Sequence, residues 1–224
     1  MTRPILEVRD LCIDSGRRVT AGVSLAVEAG GVLCVLGGEG AGKSRLLRCI
    51  GLDFPPASGT ILVRGTDVTG ANPDRRRQLR ARTIELVHPP APAGVPDSTV
   101  PGGRAGMLVA PGPAPTAPVA GMRQRIQIAK ALVHGAEVLL LDEPFVGVEH
   151  AVERRILELL DRLRTETETA VVVASRHPEV ARAVSDEVVV LVEGEVVEKG
   201  PAVKVLDSPR HPRTRDLVEP RRSA

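Results

Sequence analysis

The clearest chemistry in this chain sits in one short stretch. Gly37-Gly38-Glu39-Gly40-Ala41-Gly42-Lys43-Ser44 fits the spacing G-x-x-x-x-G-K-[ST]. Glycines so placed let successive backbone N–H groups turn inward around phosphate oxygens. A helix beginning at the end of the stretch offers its positive N-terminal end to the same anion. Lys43 would bring a point charge to the terminal phosphates of a nucleotide, and Ser44 a hydroxyl to a magnesium ion. From the chain's own Gly, Lys, Ser and Thr frequencies, chance expects roughly 0.004 such matches. A second constellation is Val138-Leu139-Leu140-Leu141-Asp142-Glu143-Pro144, an apolar run that ends in two carboxylates. Asp142 is the candidate to complete a magnesium shell with Ser44. Glu143 is the candidate catalytic base that would polarise an attacking water. A strand ending in surface acids is common by itself. Beside a phosphate loop, the pair reads as chemistry.

Particular elements must carry these residues. Val32-Leu33-Cys34-Val35-Leu36 is a continuous apolar run, the mark of a strand buried on both faces. It leads directly into the glycines, and Ser44 to Ile50 follows with helical spacing. The same alternation recurs downstream. Met122 to His134 reads as helix and Val138 to Leu141 as buried strand. Val148, Val152, Ile156, Leu159, Leu160 and Leu163 fall at helical spacing, while Val171 to Ala174 and Val188 to Val192 read as strands. Strands alternating with helices predict a mostly parallel sheet flanked by helices, an α/β P-loop architecture. Short β-like pieces at Ile5 to Val8 and Val23 to Val27 add an N-terminal antiparallel part. Residues 89–118 break the pattern, holding 9 of the 19 prolines and 5 of the 22 glycines. Breakers at that density sustain neither helix nor central strand. The stretch is expected to be either a disordered insertion or the decayed remnant of something once folded.

Composition excludes other classes. The 224 residues carry 30 Lys and Arg against 28 Asp and Glu, a net charge of +2, which argues against a nucleic-acid binder. No apolar run is long enough to span a bilayer. The N-terminus meets Glu7, Arg9 and Asp10 too early for a secretory signal. Cys12, Cys34 and Cys49 lack metal-type spacing and read as free thiols of a reducing, cytoplasmic compartment. With no Trp, no Tyr and only Phe54 and Phe145, base stacking on an aromatic platform has little to work with. His88, His134 and His150 show no ligand spacing and read as surface residues. Arg75, Arg76, Arg77, Arg80 and Arg82 read as a solvated helix face, with contact to anionic headgroups or a membrane partner as the alternative.

The phosphate loop, the Leu-Leu-Leu-Asp-Glu-Pro strand end and Gly121-Met122-Arg123-Gln124-Arg125 together resemble the ATP-binding subunits of ABC transporters. The tail Ser208-Pro209-Arg210-His211-Pro212-Arg213-Thr214-Arg215 is similar to that of the dipeptide, oligopeptide and nickel importer branch, with Arg213 in place of its usual Tyr. The resemblance implies a single ATP-binding domain over 1–224. Its expected parts are an N-terminal β part and phosphate-loop lobe over 1–88, a Pro/Gly-rich insertion over 89–118 in place of the family's helical subdomain, which is expected to be reduced or disordered, a signature-like helix and acidic-strand lobe over 119–207, and a tail over 208–224. It implies ATP and Mg²⁺ as ligands, bound by residues 37–44 with Asp142, and hydrolysis assisted by Glu143. It also implies permease partners at the inner face of the cell membrane and a second ATP-binding subunit, a copy or a different chain, docked head to tail.

Several family positions differ in this chain. The signature Leu-Ser-Gly-Gly becomes Pro118-Val119-Ala120-Gly121, and the sensing Gln falls at Pro89. The Ser-Ala-Leu-Asp loop becomes Val146-Gly147-Val148-Glu149. The switch His aligns with Arg176, with His177 next, and His177 also reads as an exposed residue opening a helix. Two other readings stay open at this point. One is a catalytically degenerate subunit or decayed paralogue working only with an intact partner ATPase. The other is a P-loop kinase or GTPase.

Overall fold

A computed structural model describes residues 3–14, 19–89, 135–148 and 150–219. Pro90 to Pro118, the signature-like residues 118–121, the expected helix from Met122 to His134, Glu149 and Arg221-Arg222 lie outside the described residues. Two sheets organise the rest. The N-terminal sheet pairs β1 (Leu6–Asp14) antiparallel with both β2 (Val19–Val27) and β4 (Ser58–Val63), and β4 carries the short β5 (Thr66–Asp67). Leu6, Val8, Leu11 and Ile13 of β1 turn inward and are almost fully buried. A β-bulge lets Leu11 pair with Val23 after Val8 has paired with Leu25.

The second sheet has six strands in the order β10-β9-β3-β8-β7-β6. Its core is parallel: β3 (Val32–Leu36) lies between β8 (Ala170–Ser175) and β9 (Glu187–Val192), and β7 (Val138–Asp142) lies between β8 and β6 (Ile84–Val87). Every residue of β3, β7 and β8 is buried, as continuous apolar runs require when helices cover both faces. At one edge β10 (Glu195–Pro201) folds back antiparallel onto β9.

On one face α1 (Lys43–Ile50) packs Leu46, Leu47 and Ile50 between the two sheets. On the other, α3 (His150–Glu166) buries Ile156, Leu160 and Leu163, and α4 (Pro178–Val184) buries Val180 and Val184. The arginine cluster forms α2 (Pro73–Arg82), capped by Asn72, whose side chain accepts the Arg75 N–H at 2.8 Å. Only Leu79 of α2 is buried, so the solvated face expected from the sequence is present. Two further helices, α5 (Ala202–Asp207) and α6 (Pro212–Val218), pack against β9 and β10.

The turn between β9 and β10 ties the sheets to the glycine loop. The Gly194 N–H donates to the Ala41 carbonyl at 3.0 Å, and the Gly194 carbonyl accepts the Ala21 N–H at 3.1 Å. No helix among the described residues is long and apolar enough to cross a membrane.

Candidate functional site

The carboxyl ends of β3, β7 and β8 converge. The Gly37 N–H, just past β3, donates to the Ser175 carbonyl at 3.2 Å, and the Glu143 N–H, just past β7, donates to the Ala174 carbonyl at 3.0 Å. In open α/β sheets ligands occupy this end of the strands. The glycine loop is fixed here by shape as well as by hydrogen bonds. A Cβ on Gly37 would stand 2.4 Å from the Leu191 carbonyl oxygen, so the loop passes β9 at a distance only glycine permits. Gly40 and Gly42 adopt φ of +73° and +103°, and Gly42 caps α1 in that conformation.

Lys43, the first residue of α1, is buried, at 6% exposed. Its Nζ donates to the Gly37 carbonyl at 2.8 Å and the Gly38 carbonyl at 3.0 Å, and it stands 3.2 Å from Glu143 Oε1. Ser44 Oγ donates to Asp142 Oδ1 at 3.0 Å. All four chemistry-bearing side chains picked out by spacing therefore meet in one place, although the helix and the acidic strand end are far apart in sequence. Asp142 is 2% exposed. Burial pushes its carboxyl above the ordinary range. The Ser44 hydroxyl opposes that shift, Glu143 adds to it, and Lys43 and His88 oppose it.

Glu143 is held in a left-handed conformation, φ +46°, unusual for a side-chain-bearing residue. Its carboxylate bridges Lys43 and the Arg176 main-chain N–H, which Oε2 accepts at 3.3 Å. Arg176 Nε in turn donates to His177 Nε2 at 3.2 Å, and His177 Nδ1 lies 3.1 Å from Glu179. His177 is the N-cap of α4 with Pro178 behind it, as its sequence context predicts, though it is half-buried rather than exposed. His88, read from the sequence as a surface residue, is half-buried after β6 and close enough to Asp142 to bear on its charge. Only pairing of β6 with β7 brings it there, and no local signal announces it. Pro89 follows it, exposed.

The donor set suits a hard cation shared with a phosphate. One hydroxyl and one carboxylate side by side match magnesium, which is ordinarily held by one or two protein oxygens plus substrate phosphates and water. Among the described residues no cluster of three His, Cys, Asp or Glu could hold a metal without such help. Neither phenylalanine stands free as a base platform: Phe54 lies under the Arg45 and Arg48 guanidiniums at 5.2 and 5.9 Å, and Phe145 packs on the core beneath α3.

A parallel sheet whose central strand feeds a glycine loop and helix, with an acidic strand end alongside, defines a P-loop nucleotide-binding domain. The family model described as ABC transporter matches residues 20–91. The phosphonates utilization ATP-binding protein PhnK of Escherichia coli is 33% identical over 97% of this chain and 98% of its own length. The di/tripeptide transport ATP-binding protein DppF of Pseudomonas aeruginosa is 32% identical over 90% of this chain and 70% of its own. In fold, the chain is similar to CbiO1 of Clostridium perfringens, part of the ABC transporter complex cbiONQ. That match has a TM-score of 0.69, covers 92% of each chain and is 22% identical. The chain belongs to the family of ABC transporter ATP-binding subunits.

Proposed function

We propose that this chain binds Mg-ATP through residues 37–44 and Asp142, and that it powers an importer for small peptides or similarly polar solutes. The observation that carries the reading is the meeting of Lys43, Ser44, Asp142 and Glu143 at the carboxyl ends of β3 and β7. Likeness to DppF and PhnK supports the importer assignment. Permease subunits at the membrane's inner face and a second ATP-binding subunit would complete the assembly. Residues 89–118 stand where permease-docking helices are expected.

Lys43 now rests on two main-chain carbonyls and Glu143, acceptors that the terminal phosphates would replace with stronger, charged partners. That exchange frees Glu143. Ser44 and Asp142 would hold the magnesium ion, which supplies charge neutralisation at the phosphates. Water then attacks the γ-phosphorus as the bond to the β-phosphate oxygen breaks. Glu143 takes the water proton, and ADP and phosphate leave. Replacing Glu143 with Gln keeps the size and removes the base. The variant should bind Mg-ATP as the wild type does while losing about 10²–10⁴ in turnover. Unchanged turnover would overturn the assignment of Glu143.

A second reading is favoured by Arg176 and Pro89, which we read from the sequence as falling at the family's switch and sensing positions. In it the chain turns ATP over only beside a second, intact ATPase chain. The isolated chain would then hydrolyse ATP barely above background, and mixing with such a chain would restore a rate that Glu143→Gln abolishes. Robust turnover by the isolated chain excludes this reading.

A further inference from the structure

Away from the nucleotide site, an open groove of about 690 Å³ runs between β10, α5 and the segment entering α6. Its volume falls within the ~300–1,000 Å³ usual for small-molecule sites. Val197, Val205 and Pro212 supply apolar wall. Lys199, Lys204 and Arg210 supply positive charge at its exposed rim. The chain has only four lysines, and two of them stand here.

Two nearby acids are already engaged. Glu198 accepts the main-chain N–H groups of Arg210 at 2.9 Å and His211 at 3.1 Å. Burial pushes its carboxyl up, but those N–H groups and the adjoining Thr214 hydroxyl hold it below the ordinary range. That hydroxyl is buried and makes no well-formed hydrogen bond. Asp207 on α5 is taken by Arg182. Among the described residues, Lys199, Lys204 and Arg210 have no carboxylate within ion-pair distance. His211 Nδ1 accepts the Arg213 N–H at 3.3 Å, which leaves Nε2 as a further donor. Glu198 thus fastens the segment carrying Arg210 and His211 to β10, and no carboxylate of the described residues pairs with the cations beside it.

We propose that this groove binds an oxyanion on an apolar stem, a phosphate monoester being the best match. The three cations take the head and the Val197–Val205 wall takes the stem. The site is separate from the phosphate loop, and its occupancy does not depend on the assignment of Glu143. Such a ligand could be a free phosphate ester or a lipid headgroup.

The test uses the full chain with ADP and magnesium present to occupy the nucleotide site. Hexyl phosphate and inorganic phosphate are titrated by calorimetry. Flotation with phosphatidylcholine vesicles, with and without phosphatidic acid, is the second arm. Wild type is compared with Lys199→Gln/Lys204→Gln/Arg210→Gln and with a charge-matched control, Arg75→Gln/Arg154→Gln/Arg155→Gln. The expected result is hexyl phosphate binding that exceeds inorganic phosphate and weakens with salt. It should fall at least about tenfold in the groove variant and not in the control. Saturable binding of hexyl phosphate identifies the free-ester source. Binding confined to phosphatidic acid vesicles, lost in the groove variant alone, identifies the lipid source. No binding in either arm, or equal losses in the groove variant and the control, would overturn the proposal.

Discussion

Replacing Gly37 with alanine tests whether the phosphate loop is positioned by contact with β9. The added methyl would lie 2.4 Å from the Leu191 carbonyl oxygen and 3.0 Å from the Ala41 Cβ. The oxygen cannot retreat easily, because Leu191 is paired with Val196 and the preceding Val190 with Leu36. Gly37 cannot retreat either, since its N–H is bonded to the Ser175 carbonyl. Overpacking against fixed backbone costs about 1–3 kcal/mol. For a chain of this size that lowers the melting temperature by roughly 2–12 °C. Gly38→Ala is the control, because its Cβ meets nothing within 4 Å. It should leave the melting temperature within about 2 °C of wild type. Thermal melts of the nucleotide-free proteins read both variants. A Gly37→Ala protein melting with the wild type, or a Gly38→Ala protein melting far below it, would refute the contact argument.

Three other outcomes follow from the same geometry. Lys43→Ala should abolish Mg-ATP binding by calorimetry while circular dichroism stays native, because the loop is also held by the Gly37 N–H bond to Ser175 and the Gly194 bond to Ala41. Burial raises the Asp142 carboxyl above its unfolded value, so the charged form costs stability at neutral pH. That cost is relieved as pH falls through the folded value and is fully gone below the unfolded one. Asp142→Asn should therefore stabilise the nucleotide-free protein near neutrality and flatten its acid-side melting profile relative to wild type. Cys34 and Cys49 are buried thiols pushed up to about 12 by desolvation, while the Ser58 hydroxyl and the Gly22 N–H lower Cys12. Brief iodoacetamide treatment of the folded protein should therefore label Cys12 first, as read by peptide mass mapping.

The sequence discloses the central sheet because burial on both faces leaves no room for polar residues. Val32 to Leu36, Val138 to Leu141 and Val171 to Ala174 are legible for that reason. The phosphate loop is legible because its glycines and Lys43 are demanded by local geometry. What sequence hides is contact across elements. Nothing near Glu143 announces that it reaches Lys43 and the Arg176 N–H, or that its backbone is left-handed. His88 gives no local sign of approaching Asp142. The Ser208 to Arg215 stretch is legible as a motif, while the helix at Pro212–Val218 and its tether through Glu198 depend on β10. The alternation of β10 is blurred by the bulge between Val196 and Glu198.

The tie from Gly194 to Ala41 also bears on the order in which the chain can mature. The phosphate loop is complete in sequence at Ser44, but its shape leans on a carbonyl at Leu191 and an N–H at Gly194. Synthesis proceeds at about 5–20 residues per second, N-terminal segments first. A nascent chain would therefore carry every residue of the loop well before it carries the hairpin that moulds it. The loop can take its shape only once β9 and the turn after it have been made, and a chain truncated before β9 would hold the motif without the mould.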